Sequence, residues 1–118
     1  MQTSTTTEQQ NLSAQLVDIR EKFMAGASDD LKQTFTSFIQ DLHNSGFEEK
    51  ALKVGQTAPD FVLKNALDTE VRLSDILKKG PVILTWYRGG WCPYCNMQLQ
   101  YLQRALPEFL KEGANLIA

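Results

Sequence analysis

Leu12, Leu16, Ile19 and Phe23 recur at intervals of four, three and four residues, and Asp18, Arg20, Glu21 and Lys22 stand between them. This spacing lines one face of a 3.6-residue period and predicts an amphipathic helix that Gly26 stops. A second stripe runs through Leu31, Phe35, Phe38 and Leu42. Ser28 offers an N-cap oxygen, Asp29 and Asp30 place negative charge in the first turn, and Asn44-Ser45-Gly46 ends the helix. The pair is predicted to form an N-terminal helical hairpin laid on the main domain, and the same stripes would equally suit a homodimer face. Ten of the first eleven residues are Gln, Thr, Ser, Glu or Asn. They are too polar to bury anything, which predicts a frayed tail over 1–11.

Past Gly55 the helical period gives way to short runs. Phe61-Val62-Leu63 is too short for a helix, Asn65 to Asp68 carries turn residues, and Glu70 to Leu73 alternates polar and apolar, so a β-hairpin is predicted. Ser74 then caps a one-turn helix through Lys78, closed by Gly80. Pro81 introduces Val82-Ile83-Leu84-Thr85-Trp86-Tyr87, six β-branched, aliphatic and aromatic residues with almost no polar relief. Such a run predicts a strand buried on both faces, with Trp86 and Tyr87 in the core. After Arg88-Gly89-Gly90-Trp91 a helical pattern extends from Cys92 to Lys111, with Pro107 expected to kink or break it. Asn115 to Ala118 begins another strand. Strand, helix and strand in this order make a right-handed βαβ unit, whose loop and helix N-terminus lie at the carboxyl end of the central strand. The chain therefore divides into a tail over 1–11, a helical extension over 12–52 and an α/β domain over 53–118.

Composition narrows the chemistry. A chain of 118 residues holds one domain-sized core, and 12 Lys+Arg against 14 Asp+Glu give a net charge of −2, which offers no basic field to nucleic acid. No apolar run approaches the roughly 20 residues of a membrane span or the roughly 7–15 of a secretory signal, which predicts a soluble, cytoplasmic protein away from membranes. The two cysteines, Cys92 and Cys95, are three positions apart. A pair so close cannot staple a fold as the cysteines of small secreted domains do, so it reads as redox chemistry without a cofactor.

With Cys92 at the N-cap, Pro93 falls at N1, where its missing N–H costs nothing. The free N–H groups of Tyr94 and Cys95 then converge on the Cys92 sulfur, and the helix dipole favours its thiolate, which is the nucleophilic form. Arg88 is the nearest additional positive charge. Cys95, Leu99, Leu102, Leu106 and Phe109 form the buried stripe of the helix. Position thus predicts Cys92 as the exposed attacker and Cys95 as the sheltered resolver, closing a Cys92–Cys95 disulfide. Gly89 and Gly90 let the backbone bend and a substrate approach, Trp91 shields one side, and Tyr94 stands exposed beside the sulfur. Two readings compete: half of a zinc site, for which the lone His43 is the only other strong donor, and an inert pair of core thiols. Neither explains proline at N1 behind a Gly-Gly bend, and no metal is expected.

Gly55-Gln56-Thr57-Ala58-Pro59-Asp60-Phe61 resembles the opening of the alkyl hydroperoxide reductase and thiol-specific antioxidant branch of the thioredoxin superfamily. Tyr87-Arg88-Gly89-Gly90-Trp91-Cys92-Pro93-Tyr94-Cys95 is similar to the active-site segment of its peroxiredoxin-like members, and its Cys-Pro-Tyr-Cys core to dithiol glutaredoxins. The resemblance covers residues 55–118. It implies a thioredoxin-like, three-layer α/β/α fold and an antioxidant oxidoreductase that reduces peroxides through the cysteine pair, with thioredoxin or glutathione as reductant. A general thiol-disulfide oxidoreductase without peroxidase activity is the alternative, and a non-catalytic oligomerisation module the alternative of another class. Counting from Trp86-Tyr87 without gaps puts Arg88 in the family's proline place, Cys92 in its Thr/Ser place and Cys95 in its peroxidatic place. The resemblance therefore nominates Cys95 as the attacker where helix position nominates Cys92. It also implies a further helix, a strand preceded by a cis-proline and a final hairpin after residue 118. The present chain reads as a truncated part of such a fold, with an open sheet edge inclined to pair with another copy.

Overall fold

Ser28 does cap the second helix: its hydroxyl accepts the Leu31 N–H at 3.3 Å, at a backbone conformation of φ −65° and ψ 159°. The computed structural model describes residues 11–118, so the tail predicted for 1–11 lies, apart from Asn11, outside the described residues. Asn11 Oδ1 accepts the Ser13 N–H at 2.9 Å. The elements in order are α1 (Leu12–Gly26), α2 (Asp29–Asn44), α3 (Phe47–Lys50), β1 (Val62–Lys64), β2 (Glu70–Arg72), α4 (Leu73–Leu77), β3 (Val82–Leu84), α5 (Pro93–Lys111) and β4 (Asn115–Ile117). Contacts divide the described chain into two units, one of residues 20–59 and one of 11–19 with 60–118.

In the unit of residues 20–59 the end of α1 meets α2 through Phe23 and Phe35, whose rings lie edge to face at 5.1 Å and 76°. This arrangement suits the aromatic quadrupoles and fixes the helical hairpin. The single turn α3 was not foreseen, because four residues are too few to show a period. Phe35 and Phe38 of the predicted stripe keep 46% and 56% of their surface exposed.

In the other unit β1 and β2 pair antiparallel, Leu63 opposite Val71, around the turn predicted for Asn65 to Asp68. Asn65 Oδ1 accepts the N–H groups of Leu67 and Thr69 at 2.9 and 3.0 Å, and Asp68 takes φ +60°, a left-handed conformation that Asp tolerates. The helix α4 begins two residues earlier than expected, and its cap is not Ser74. Arg72 occupies the N-cap position without a side-chain bond. The cap comes from Asp60, whose carboxylate accepts the Ser74 N–H at 2.9 Å and the Ser74 hydroxyl at 2.8 Å. A carboxylate fourteen residues upstream is a stronger acceptor than a local hydroxyl, and local spacing cannot reveal it.

The βαβ unit is present, with β3 and β4 parallel and Ile83 opposite Leu116. Gly80, at φ +146°, lies so close to the Gly113 carbonyl that an added Cβ would collide with it, which lets the two strands begin side by side. The long strand predicted over Val82 to Tyr87 is shorter than its composition suggests. It ends at Leu84, although the Thr85 N–H still reaches the Ile117 carbonyl at 2.9 Å. Trp86 and Tyr87 are 74% and 44% exposed rather than buried. The reason is the sheet: among the described residues β3 has one neighbour, β4, and the β1–β2 pair forms a separate sheet. A cleft of about 380 Å³, lined by Phe61, Val71, Leu84, Leu99 and Ile117, lies beside these residues. The helix α5 also runs unbroken past Pro107. Both Pro107 and Gln103, whose carbonyl loses its partner, are exposed, so water can satisfy that carbonyl. The buried residues among those described are Leu73, Thr85, Cys92 and Cys95, which places both sulfurs in the small core of this unit.

Candidate active site

Cys92 stands at the N-cap of α5, at φ −92° and ψ 106°, with Pro93 following as the first helical residue. Its Sγ accepts the Cys95 N–H at 3.3 Å, its own N–H donates to the Gly89 carbonyl at 3.0 Å, and its carbonyl accepts the Asn96 N–H at 3.1 Å. A cysteine sulfur here does what Ser or Asp does at other helix starts, accepting one of the orphan amide hydrogens. Both thiols are free. The burial of Cys95 agrees with its place in the helix stripe, but the expected exposure of Cys92 does not hold: it is 2% exposed. The capping bond does not by itself bury a side chain, since Ser28 makes the equivalent bond at α2 from an exposed position; Cys92 lies at the start of α5 where the chain around it encloses it.

The surroundings hold the Cys92 thiol below its ordinary pKa. The largest cause is hydrogen bonding from the Cys95 side chain, which outweighs the opposing effect of burial. The Cys95 N–H, the charge of Arg88 and the Tyr94 N–H add to the lowering, in that order. The amide hydrogens and the arginine seen in the sequence therefore act as expected, but the second thiol contributes more than either.

Arg88, Gly89 and Trp91 come together. The Arg88 guanidinium lies 4.9 Å from the centre of the Trp91 ring, a cation–π contact. Gly89 takes φ +152°, and a Cβ there would collide with the Trp91 indole, so glycine is what lets the ring fold back. Trp91 itself remains 70% exposed and Tyr94 37%. Pro93 is exposed at the mouth of the helix. Two residues of the site were not anticipated. Asn96 Nδ2 donates to the Gly90 carbonyl at 2.9 Å, and its Oδ1 accepts the Tyr87 hydroxyl at 3.2 Å. The signal available was an asparagine in the first turn of a long helix, where its short polar side chain is a poor helix former unless it bonds elsewhere. Among the described residues, no group of three or more His, Cys, Asp or Glu side chains could hold a metal ion.

Residues 54–118 match the family model described as AhpC/TSA family. Curated relatives include the thiol-disulfide oxidoreductase ResA of Geobacillus kaustophilus, 38% identical over 78 residues, covering 65% of this chain and 44% of the relative. ResA of Geobacillus thermodenitrificans is 38% identical over 71 residues, covering 60% of this chain and 40% of the relative. ResA of Oceanobacillus iheyensis is 32% identical over 75 residues, covering 60% and 38%. The chain thus spans less than half the length of these relatives. No solved structure matches it significantly.

Proposed function

The chain belongs to the AhpC/TSA family and has a thioredoxin-like α/β fold, and from that premise we propose that it exchanges thiols with disulfides through Cys92 and Cys95. The observation that carries this reading is the N-cap geometry: one sulfur accepts an amide hydrogen at a helix start, while a second free thiol lies one turn further on. The names of the relatives support disulfide exchange over the peroxide reduction that the family resemblance first suggested. Arg88 in the proline place and Cys92 in the Thr/Ser place also favour exchange, because the groups that orient a peroxide in the family are the ones replaced.

In the first step the Cys92 thiolate attacks one sulfur of the substrate disulfide, forms a mixed disulfide and releases the other half as a thiolate. Cys95 then gives up its proton and attacks the Cys92 sulfur. This forms the Cys92–Cys95 bond and releases the second half of the substrate. Two electrons pass from the cysteine pair to the substrate, whose two sulfurs take up protons. An external dithiol or two monothiols of the thioredoxin or glutathione kind would return the pair to the reduced form. Lowering the Cys92 pKa helps this order, since the attacking thiol works best when its pKa lies near ambient pH.

The test is to expose the reduced chain separately to glutathione disulfide and to hydrogen peroxide and to follow its mass. The expected result is loss of two hydrogens with the disulfide at a faster rate than with peroxide. Cys95→Ser should accumulate a glutathione adduct on Cys92, and Cys92→Ser should not react. Faster oxidation by peroxide, or an adduct that forms on Cys95 in the Cys92→Ser chain, overturns this assignment.

A further inference from the structure

We propose that Asn96 is a positioning residue that clamps the loop after β3 onto the first turn of α5 and so keeps the Cys92 sulfur on the Cys95 amide. This inference rests on the thiol-exchange reading above and adds to it a residue that touches neither sulfur through its side chain. Three links converge on Asn96. Its backbone N–H holds the Cys92 carbonyl at 3.1 Å, its Nδ2 holds the Gly90 carbonyl at 2.9 Å, and its Oδ1 holds the Tyr87 hydroxyl at 3.2 Å. The loop is also tied to Cys92 from the other side, by the Cys92 N–H on the Gly89 carbonyl at 3.0 Å. Donor and acceptor ends of one amide therefore grip both ends of the segment that sets the backbone angles of Cys92.

That segment needs an external tie. Gly89 at φ +152° and Gly90 are the least restrained residues of the loop, and the ring of Trp91 is 70% exposed. An N-cap depends on a non-helical backbone just before the first turn, so a loop that swings as a unit carries the sulfur off the Cys95 N–H. The Tyr87 hydroxyl braces the same carboxamide: a Cβ at Gly90 would lie 3.4 Å from it, which shows how closely the tyrosine and the loop approach. Each hydrogen bond is partly open to water, so the expected effects are graded rather than absolute.

The test uses the full chain and three single substitutions, Asn96→Ala, Tyr87→Phe and, as a control at an exposed position of α5, Gln100→Ala. Two quantities are read: the midpoint of the Cys92 thiolate titration, followed by ultraviolet absorbance in a Cys95→Ser background and in the intact pair, and the rate of reaction with glutathione disulfide. Asn96→Ala is expected to move the midpoint upward and to slow the exchange about three- to tenfold at neutral pH, with Tyr87→Phe shifting both in the same direction by less. Gln100→Ala should change neither. A merely structural role lowers the thermal midpoint and leaves the titration where it was, and that result in both Asn96→Ala and Tyr87→Phe overturns the proposal. Should Asn96→Ala fail to fold, Tyr87→Phe alone decides, since it removes one hydroxyl and keeps the ring. If the unsubstituted chain does not react with the disulfide, the exchange reading fails, while the titration midpoints still decide the role of Asn96.

Discussion

At Cys92 the balance of effects has a definite sign. Its folded pKa lies below the ordinary thiol value of 9.0, so the folded chain holds the thiolate where the unfolded chain holds a proton. The resulting stabilisation is fully present above 9.0 and is lost as pH falls through the lowered folded value. Alkylation by a small reagent should therefore show a midpoint below that of the denatured chain, with Cys92 labelled first. Equal midpoints in the folded and denatured chains contradict the hydrogen bonding described for the sulfur. Gly89 supplies a second measurement at this scale. Gly89→Ala places a methyl group against the Trp91 indole at a backbone angle that L-residues avoid, and it should cost roughly 1–3 kcal/mol in urea unfolding. Tryptophan fluorescence should shift with it, because the ring must leave its place beside Arg88.

Among the elements, α4 shows how a short helix depends on a distant partner. Its five residues are too few to be stable alone, and its first turn is held by the Asp60 carboxylate through Ser74. These bonds, the Ser74 hydroxyl foremost, hold the Asp60 pKa below its ordinary value of 3.8. A depressed carboxylate contributes stability that is present above the unfolded value and lost as pH falls through the folded one. Ser74→Ala should therefore lower the urea midpoint at neutral pH and flatten the acid limb of stability below about pH 4. An acid limb unchanged by Ser74→Ala contradicts the leading part given to the Ser74 hydroxyl in holding the Asp60 pKa down. The hairpin and the βαβ unit were readable from local spacing, because turn residues and strand composition act within a few positions. The Asp60 cap was not, because its two halves are separated in sequence by two strands and a turn.

For the whole molecule, the scarcity of buried residues sets the margin. Leu73 is 6% exposed and is the one buried aliphatic side chain among the described residues. Leu73→Ala should cost about 2–5 kcal/mol, a large part of the roughly 5–15 kcal/mol that stabilises an ordinary domain. Urea unfolding monitored by circular dichroism measures this directly, and a loss below about 1 kcal/mol shows that the site collapses without leaving a cavity.

The residues of the dithiol site, the helix that begins at them and the strand pair around that helix are all local consequences of composition and spacing. A proline after the first cysteine, a Gly-Gly bend before it and an apolar stripe starting at the second act over one or two turns, so they are legible without coordinates. Exposure is different, because it depends on what stands opposite. Val82 to Tyr87 has the composition of a central strand, yet Trp86 and Tyr87 lie open because, among the described residues, β4 alone pairs with this run and its pairing ends at Leu84. Cys92 stands at the N-cap as its spacing implies, but it is enclosed rather than open to solvent, because exposure is set by what packs around the start of α5 and not by the capping bond itself. Asn96 and Tyr87 belong to the same class: their roles arise from a carboxamide meeting a carbonyl and a hydroxyl across a loop, a geometry that exists only after the chain has folded.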